Sequence, residues 1–265
     1  MSKFETLLIN QTERQLSTLH DQSRYYAEWF RAEKKLIDRV VVSESFKSGK
    51  ISDFWESACF VVNGEGSEIK GRWKSFNGLC GEAGLYVSNT IIRYKEPLTL
   101  KSLAVEIQIS LKLAYNSEIW VITRGAGVKD PNSAIIKISK ESDMDGIFIV
   151  FGSPIGQNSD FVFFKRQQIP EEKFDPNEEF TDIDLKINDN GDDRIYVSVK
   201  LRSFSNSTFQ TYCSKFVPSL IENRIMIAGT GRNTILEKIE LQQKERSNCS
   251  IILDASKRHQ CCLIS

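Results

Sequence analysis

The residues with the clearest chemical signature are the last four, Cys262-Leu263-Ile264-Ser265. A cysteine followed by two aliphatic residues and a serine is typical of a prenylation box, in which a prenyltransferase attaches a farnesyl group to the cysteine sulfur. Cys261 stands directly before it, where a palmitoyl group could be added as the second lipid that lasting membrane attachment requires. The pattern predicts lipidation at Cys262 and Cys261 and a location on the cytosolic face of a membrane. The alternative is a chance match on an exposed tail.

The other cysteines and the histidines do not indicate a reactive or metal-binding site. The remaining cysteines are widely spaced, and the chain has two histidines: Cys59, Cys80, Cys213 and Cys249; His20 and His259. A zinc site or a Ser-His-Asp arrangement needs ligands or partners that these residues do not supply. We therefore expect free thiols in a reducing cytosol, no catalytic residues, no bound cofactor and no metal.

The residues before this tail are expected to fold. The first forty of them have the hydrophobic spacing of a helix. Leu16, Leu19, Tyr26, Trp29 and Phe30 recur at the spacing of an amphipathic helix. This predicts a helix within residues 1–40, which either packs on its own domain or contacts a partner or a membrane. Its polar positions carry mixed charges, which favours packing on its own domain.

From Val40 onward the hydrophobic period changes to two, and short β-rich runs alternate with turn residues. Strands are predicted near Ala58–Val62, Glu68–Trp73, Thr90–Tyr94, Lys101–Leu113, Glu118–Thr123, Ala134–Ile138, Gly146–Phe151, Phe161–Lys165, Ile183–Ile187, Arg194–Leu201, Thr208–Tyr212, Arg224–Ile227 and Ile235–Leu241. The alternation places Val105, Ile107, Ile109, Ile195, Val197 and Val199 in the core. The Asn190-Gly191 pair predicts a β-hairpin whose acidic residues are solvated rather than bound to calcium. Strands without interleaved helices predict an all-β fold of antiparallel sheets, either a sandwich or a barrel.

The composition and charge of the chain argue against some classes of binding partner. The 265 residues include 35 basic and 35 acidic ones, so no overall field favours nucleic acid. The N-terminal sequence does not resemble a secretory signal, and no apolar run is long enough to cross a bilayer. We therefore expect membrane contact through the lipidated tail, with residues 243–265 as a tether.

The order of these pieces resembles the concanavalin A-like jelly-roll superfamily in its laminin-G-like and carbohydrate-binding forms. The resemblance rests on the segment Phe46–Trp55, the strand Glu68–Trp73, the long alternating run Leu103–Arg124 and the closing strands Ile225–Gly231 and Leu236–Leu241. It covers residues 41–242 and is one of pattern order rather than of a signature motif. It implies a jelly-roll β-sandwich.

Because the superfamily includes glycosidases, the acidic residues were considered as catalytic pairs. Its glucanases have a Glu-x-Asp-x-x-Glu arrangement, which this sequence lacks; Glu179, Asp182 and Asp184 are spaced differently. Glu106 and Glu118 are expected on separate strands, facing solvent. The run Phe161-Val162-Phe163-Phe164-Lys165-Arg166 could stack on a sugar or a base, although a core strand that ends in charges is the favoured interpretation.

Two functional hypotheses follow. The first is a non-enzymatic, lipid-anchored β-sandwich that recruits a protein or glycan ligand to the cytosolic face of a membrane. The second is a carbohydrate-binding protein or glycoside hydrolase whose C-terminal box is fortuitous. A pathogen effector that is prenylated by its host shares the chemistry of the first.

Overall fold

A computed structural model describes residues 40–48, 51–63, 66–75, 80–96, 98–99, 103–141, 146–155, 160–169, 179–202, 208–216, 222–231 and 233–245. The predicted N-terminal helix lies outside these residues, as do His20, Cys249, His259, Cys261 and Cys262. Val40, predicted to end that helix, instead opens the first strand. Among the described residues, no helix has the length and hydropathy needed to cross a bilayer.

The described residues form a β-structure with one short 3-10 helix, Phe46–Ser48. The strands are β1 Val40–Ser45, β2 Trp55–Asn63, β3 Gly66–Ser75, β4 Cys80–Gly81, β5 Gly84–Tyr86, β6 Thr90–Tyr94, β7 Leu98–Thr99, β8 Leu103–Ala114, β9 Ser117–Thr123, β10 Ala134–Glu141, β11 Gly146–Ile155, β12 Asp160–Ile169, β13 Phe180–Asp189, β14 Ile195–Leu201, β15 Thr208–Cys213, β16 Glu222–Asn223, β17 Met226–Gly231 and β18 Thr234–Glu245. The all-β class predicted from the period-two pattern is confirmed for these residues.

Two antiparallel sheets form the sandwich. The eight-stranded sheet has the order β15-β14-β13-β8-β18-β5-β4, and β1 also pairs with β18. The five-stranded sheet has the order β12-β11-β10-β9-β17. A three-stranded set, β3-β2-β6, lies beside β17, where the Tyr94 amide donates to the Ile225 carbonyl at 3.0 Å. A small β16-β7 pair completes the described strands.

The alternation of β13 shows why the sheets face each other. Ile183, Leu185 and Ile187 are buried, and the residues between them point outward. The six residues predicted for the core on β8 and β14 are all buried in the same cluster, so that prediction is confirmed. Period-two strands with one apolar face bury that face between two sheets.

The hairpin predicted at Asn190-Gly191 joins β13 and β14, and Gly191 has the positive φ of 72° that this turn requires. The prediction that its acids are solvated is wrong for Asp189, which is completely buried. Its carboxylate accepts hydrogen bonds from Gly191 N and from the Arg124 guanidinium, whose Nη2 lies 2.6 Å from Oδ1. A carboxylate can be buried here because a buried cation neutralises it.

Arg124 directly follows β9, so this ion pair ties the five-stranded sheet to a hairpin of the eight-stranded sheet. The Arg124 backbone has a φ of 61°, which is uncommon for a residue with a side chain. Its guanidinium also donates to the carbonyl oxygens of Asp192 and Arg194. These contacts fix the direction of the chain where β9 leaves its sheet.

Candidate functional site

Asp182, Asp184 and Glu106 lie on the outer face of the eight-stranded sheet and contact cations. Glu118 lies instead on β9, in the five-stranded sheet. Arg202 lies 3.5 Å from Asp182 and 3.6 Å from Asp184, and Asp182 also contacts Lys112. Glu106, expected to face solvent, is instead buried, and its carboxylate lies 3.0 Å from Lys186 Nζ. The Lys186 ammonium group neutralises this buried carboxylate.

The five-stranded sheet has a second apolar cluster on the face opposite the sandwich core. Its members come from β2, β6, β9, β10, β17 and the loop after β9: Ala58, Phe60, Ile91, Trp120, Ile122, Val128, Ile135, Met226 and Ala228. Ile69, Trp73 and Phe161 pack against it from the edges. The β3-β2-β6 set therefore curves over the outer face of the five-stranded sheet and makes that face concave.

Polar and aromatic residues of this concave face form the candidate site. We call it the concave-face cluster; it consists of Glu118, Trp120, Lys137, Phe161, Phe163 and Thr230. The strand register explains the assembly, because Trp120 is directly opposite Lys137 on β10 and Ala228 on β17. Glu118 is one pleat along the same face, opposite Thr230.

Glu118 is the polar centre of the concave-face cluster. Its carboxylate accepts hydrogen bonds from Trp120 Nε1 at 2.8 Å, Lys137 Nζ at 2.7 Å and Thr230 Oγ1 at 3.1 Å. Charge-assisted hydrogen bonds of this kind hold side chains in one geometry. The expectation that Glu118 faces solvent is only partly right, since its side chain is 25% exposed.

Aromatic rings surround this polar centre. The Lys137 ammonium lies 5.6 Å from the ring centroids of both Trp120 and Phe163, within the range of cation–π attraction. The Trp120 and Phe161 centroids are 5.4 Å apart, and Phe161 and Phe163 are 6.3 Å apart. Trp120 is buried as the floor, whereas Phe163 is 49% exposed at the rim.

The two interpretations of the run from Phe161 to Phe164 each hold for part of it. Phe164 packs against the sandwich core and Phe216, as a core strand requires. Phe161 and Phe163 face the opposite side, where stacking on a ligand is possible. The division follows from the alternation of the strand, because Phe161 and Phe163 are two residues apart whereas Phe164 is adjacent to Phe163.

Ion pairs flank the concave-face cluster on both sides. Arg93 lies 2.6 Å from Glu56, and its guanidinium stacks on Trp73 at 4.1 Å. On the other side, Arg166 lies 2.8 Å from Glu141. Each of these cations has a carboxylate beside it, as Lys137 has Glu118. The face therefore carries ordered ion pairs and aromatic rings but little net charge. Such a surface suits the recognition of uncharged hydroxyl groups.

The described cysteines agree with the expectation of free thiols. Cys59, Cys80 and Cys213 form no disulfide. Burial raises the pKa of the Cys80 thiol, and the nearby Glu44 carboxylate raises it further, so Cys80 is less reactive than an ordinary thiol. Within the part of the chain that the structure describes, no three His, Cys, Asp or Glu side chains are grouped to hold a metal ion.

The sequence contained two usable signals for the concave-face cluster: the aromatic run that begins at Phe161, and an acid near an indole on β9. Glu118 and Trp120 are two residues apart on a predicted strand, which places an acid and an indole on one face. Lys137 and Phe163 could not be assigned to that face without the register of β9, β10, β11 and β12. Sequence reasoning therefore found the strands but missed the site.

No protein-family model matches the sequence, and no curated protein sequence matches it either. Solved structures do match. The CBM2 module of the evolved Dit of Lactobacillus casei BL23 phage J-1 has a TM-score of 0.54 at 9% identity, over 77% of this chain and 94% of that one. The metal-free exoplasmic/lumenal domain of VIP36 has a TM-score of 0.51 at 12% identity, over 78% and 93%.

A third match is lectin II from Ulex europaeus, with a TM-score of 0.48 at 10% identity, over 78% of this chain and all of that one. At these identities the first two structures show the fold alone. At that level the predicted antiparallel β-sandwich is confirmed.

Proposed function

We propose that this chain is a non-enzymatic carbohydrate-binding domain that takes an uncharged oligosaccharide on its concave-face cluster. The observation that carries the proposal is the exposed Phe163 ring beside the fixed Glu118–Lys137 pair. An exposed ring offers an apolar face to a sugar, and an ordered carboxylate and ammonium group offer an acceptor and donors to its hydroxyls. The lectin-like fold is consistent with this proposal.

The ion pairs of the acidic residues on this face favour binding of a sugar over its hydrolysis. Glu56, Glu118 and Glu141 each have a cation within ion-pair distance. A glycosidase needs two carboxyl groups placed on either side of the bond that it cleaves, whereas each of these carboxylates is engaged by its own cation. The pairs therefore suit a role in orienting a ligand.

The test is an array of uncharged oligosaccharides, followed by calorimetric titration with whichever sugar binds. Phe163→Ala should reduce affinity roughly tenfold because it removes an exposed aromatic contact. Phe54→Ala is the matched control, since Phe54 is also an exposed phenylalanine and no ring contact links it to the cluster. An array with no bound sugar, or equal binding by the two variants, would contradict the proposal.

We also propose, from the sequence Cys262-Leu263-Ile264-Ser265 alone, that Cys262 is farnesylated and Cys261 carries a second lipid. The domain would then be held on the cytosolic face of a membrane and would recruit its ligand there. Cys262→Ser should move protein expressed in eukaryotic cells from the membrane fraction to the soluble fraction. Intact mass spectrometry should find a farnesyl adduct and the loss of the last three residues. Unchanged fractionation together with an unmodified mass would remove this proposal and leave the carbohydrate site untouched.

A further inference from the structure

The outer face of the eight-stranded sheet carries a second, separate surface with binding features. A groove of about 320 Å³ crosses β18, β8, β13, β14 and β15. The register places Ser110, Asp184, Lys200 and Thr208 in one row and Gln108, Lys186 and Ser198 in the next. Small-molecule sites begin at about 300 Å³, so the groove has room for a small ligand or for part of a longer one.

The two sides of the groove differ in whether their polar side chains have hydrogen-bond or ion-pair partners. On β8 and β13, Ser110 donates to Asp184 at 2.7 Å and Lys186 is paired with Glu106. On β14 and β15, the side chains of Ser198, Lys200 and Thr208 make no hydrogen bond or ion pair within the described part of the chain. Two hydroxyls and one ammonium group are thus available to a ligand on that side.

A pair of tyrosines continues this available side. Tyr196 and Tyr212 are directly opposite each other on β14 and β15, one pleat beyond Ser198. Their ring centroids are 5.6 Å apart with planes inclined at 33°, and the residues are 37% and 51% exposed. Neighbouring exposed rings of similar orientation form a platform on which a flat apolar face can stack.

Cations lie around the tyrosine platform. Arg194 precedes β14 and lies 3.6 Å from Asp193, and Lys165 Nζ lies 5.5 Å from the Tyr212 ring centroid. Lys200 is on β14, on the same face as Tyr196. A ligand that stacks on the platform and extends into the groove would therefore meet Lys200 as well as hydroxyl groups. This combination is complementary to a sugar that carries an acidic group.

We propose that the tyrosine platform and the groove form a second carbohydrate site, independent of the concave-face cluster, that binds an acidic oligosaccharide. One sugar ring stacks on Tyr196 and Tyr212, and a hydroxyl of the oligosaccharide bonds to Ser198 in the next row. A further sugar of the same oligosaccharide, about 13 Å along β14, bonds to Thr208 and pairs its carboxylate or sulfate group with Lys200. The proposal does not depend on the concave-face cluster, because the two surfaces are on the outer faces of different sheets.

The test uses an array that carries each oligosaccharide in neutral and in sulfated or sialylated form. The double variant Tyr196→Ala/Tyr212→Ala should weaken binding of the acidic forms about tenfold, as expected for the loss of two stacking contacts. Lys200→Ala should weaken the same binding and reduce its sensitivity to salt, because it removes one charge contact. Tyr86→Ala is the matched control, since Tyr86 is an exposed tyrosine of the same sheet on β5.

Each outcome of this experiment separates the two sites. Acidic-sugar binding that is lost in the tyrosine variant but retained in Phe163→Ala supports the second site. Binding of no acidic form, or binding that the tyrosine variant leaves intact, overturns it, whatever neutral sugars do at the concave-face cluster. A single-stranded dT20 oligonucleotide serves as a further probe, because aromatic platforms with cations also bind bases. Tighter binding of dT20 than of any acidic sugar would also overturn the proposal.

Discussion

The outer faces of the two sheets start from the same strand pattern and end with different surfaces. Both carry alternating polar residues, and both include acids beside cations. On the five-stranded sheet, the β3-β2-β6 set curves over the face and buries a second apolar cluster around Trp120. On the eight-stranded sheet, the face stays open and leaves Tyr196 and Tyr212 exposed.

This difference shows that the curvature of a sheet decides whether the polar side chains on its outer face are ordered by neighbours or available to a ligand. The covered face has its own apolar cluster. Glu118 and Lys137 are therefore held by hydrogen bonds to each other and to their neighbours before a ligand binds. An open face keeps Lys200 and two hydroxyls available. Preorganised polar groups favour selective binding of an uncharged ligand, whereas available cations favour a charged one.

The largest expected effect is on the free energy of unfolding, and it tests whether the concave face is packed like a hydrophobic core. Trp120→Ala should lower the free energy of unfolding by roughly 3–5 kcal/mol, because it leaves a cavity in the second cluster. Tyr212→Ala, on the open face, should change it by no more than about 1 kcal/mol, the contribution of a cross-strand aromatic pair. Urea denaturation of both variants measures the contrast. Similar values for the two would mean that the faces do not differ in burial.

The next effect concerns the ion pair that ties the two sheets together. Asp189→Asn should cost about 3 kcal/mol, because it leaves the buried Arg124 charge without a countercharge. The double variant Arg124→Met/Asp189→Leu should recover much of this loss, because neither partner is left charged in the interior. Thermal unfolding of the single and double variants provides the measurement. A double variant less stable than Asp189→Asn would show that the pair is needed for more than charge balance.

A smaller, pH-dependent effect is expected on the open face at Glu237. Burial alone would raise the pKa of this carboxyl, but hydrogen bonds from Lys47 and Arg202 outweigh it and lower the pKa below its ordinary value of 4.5. A lowered folded-state pKa stabilises the fold above the unfolded value, and this contribution disappears as pH falls through the folded value. Wild type should therefore exceed Glu237→Gln in stability at pH 7, and the gap should close below about pH 4.5. A gap that stays constant from pH 7 to pH 3 would exclude this linkage.

The smallest stability effect is expected at the site itself. Lys137→Ala should cost less than about 1 kcal/mol, because the half-buried Glu118 keeps the Trp120 and Thr230 donors and gains some access to water. Binding of the uncharged sugar should nevertheless fall, because an ordered donor is lost. Denaturation and calorimetry on the same preparation separate the two effects. A loss of several kcal/mol would assign Lys137 to the support of the fold rather than to the ligand.

The sequence determined the strands better than the surfaces that they form. Alternation on β8 and β14 predicted buried positions such as Ile107 and Val197 correctly, because a half-buried strand carries its inward face in its own pattern. Curvature depends on contacts between distant strands, so the burial of Trp120 beneath Phe60 had no local signal. The buried Asp189 was missed for the same reason, since its partner Arg124 is distant in sequence.

The most direct test of the central claim is to map the bound sugar on the folded chain by nuclear magnetic resonance. Backbone amide shifts are followed while the uncharged oligosaccharide selected on the array is added to the ¹⁵N-labelled protein. The account predicts that the largest changes fall on Glu118, Lys137 and Phe163, and that the amides around Tyr196 and Lys200 stay in place. Changes confined to the eight-stranded sheet, or spread evenly over both sheets, would contradict the assignment of this ligand to the concave face.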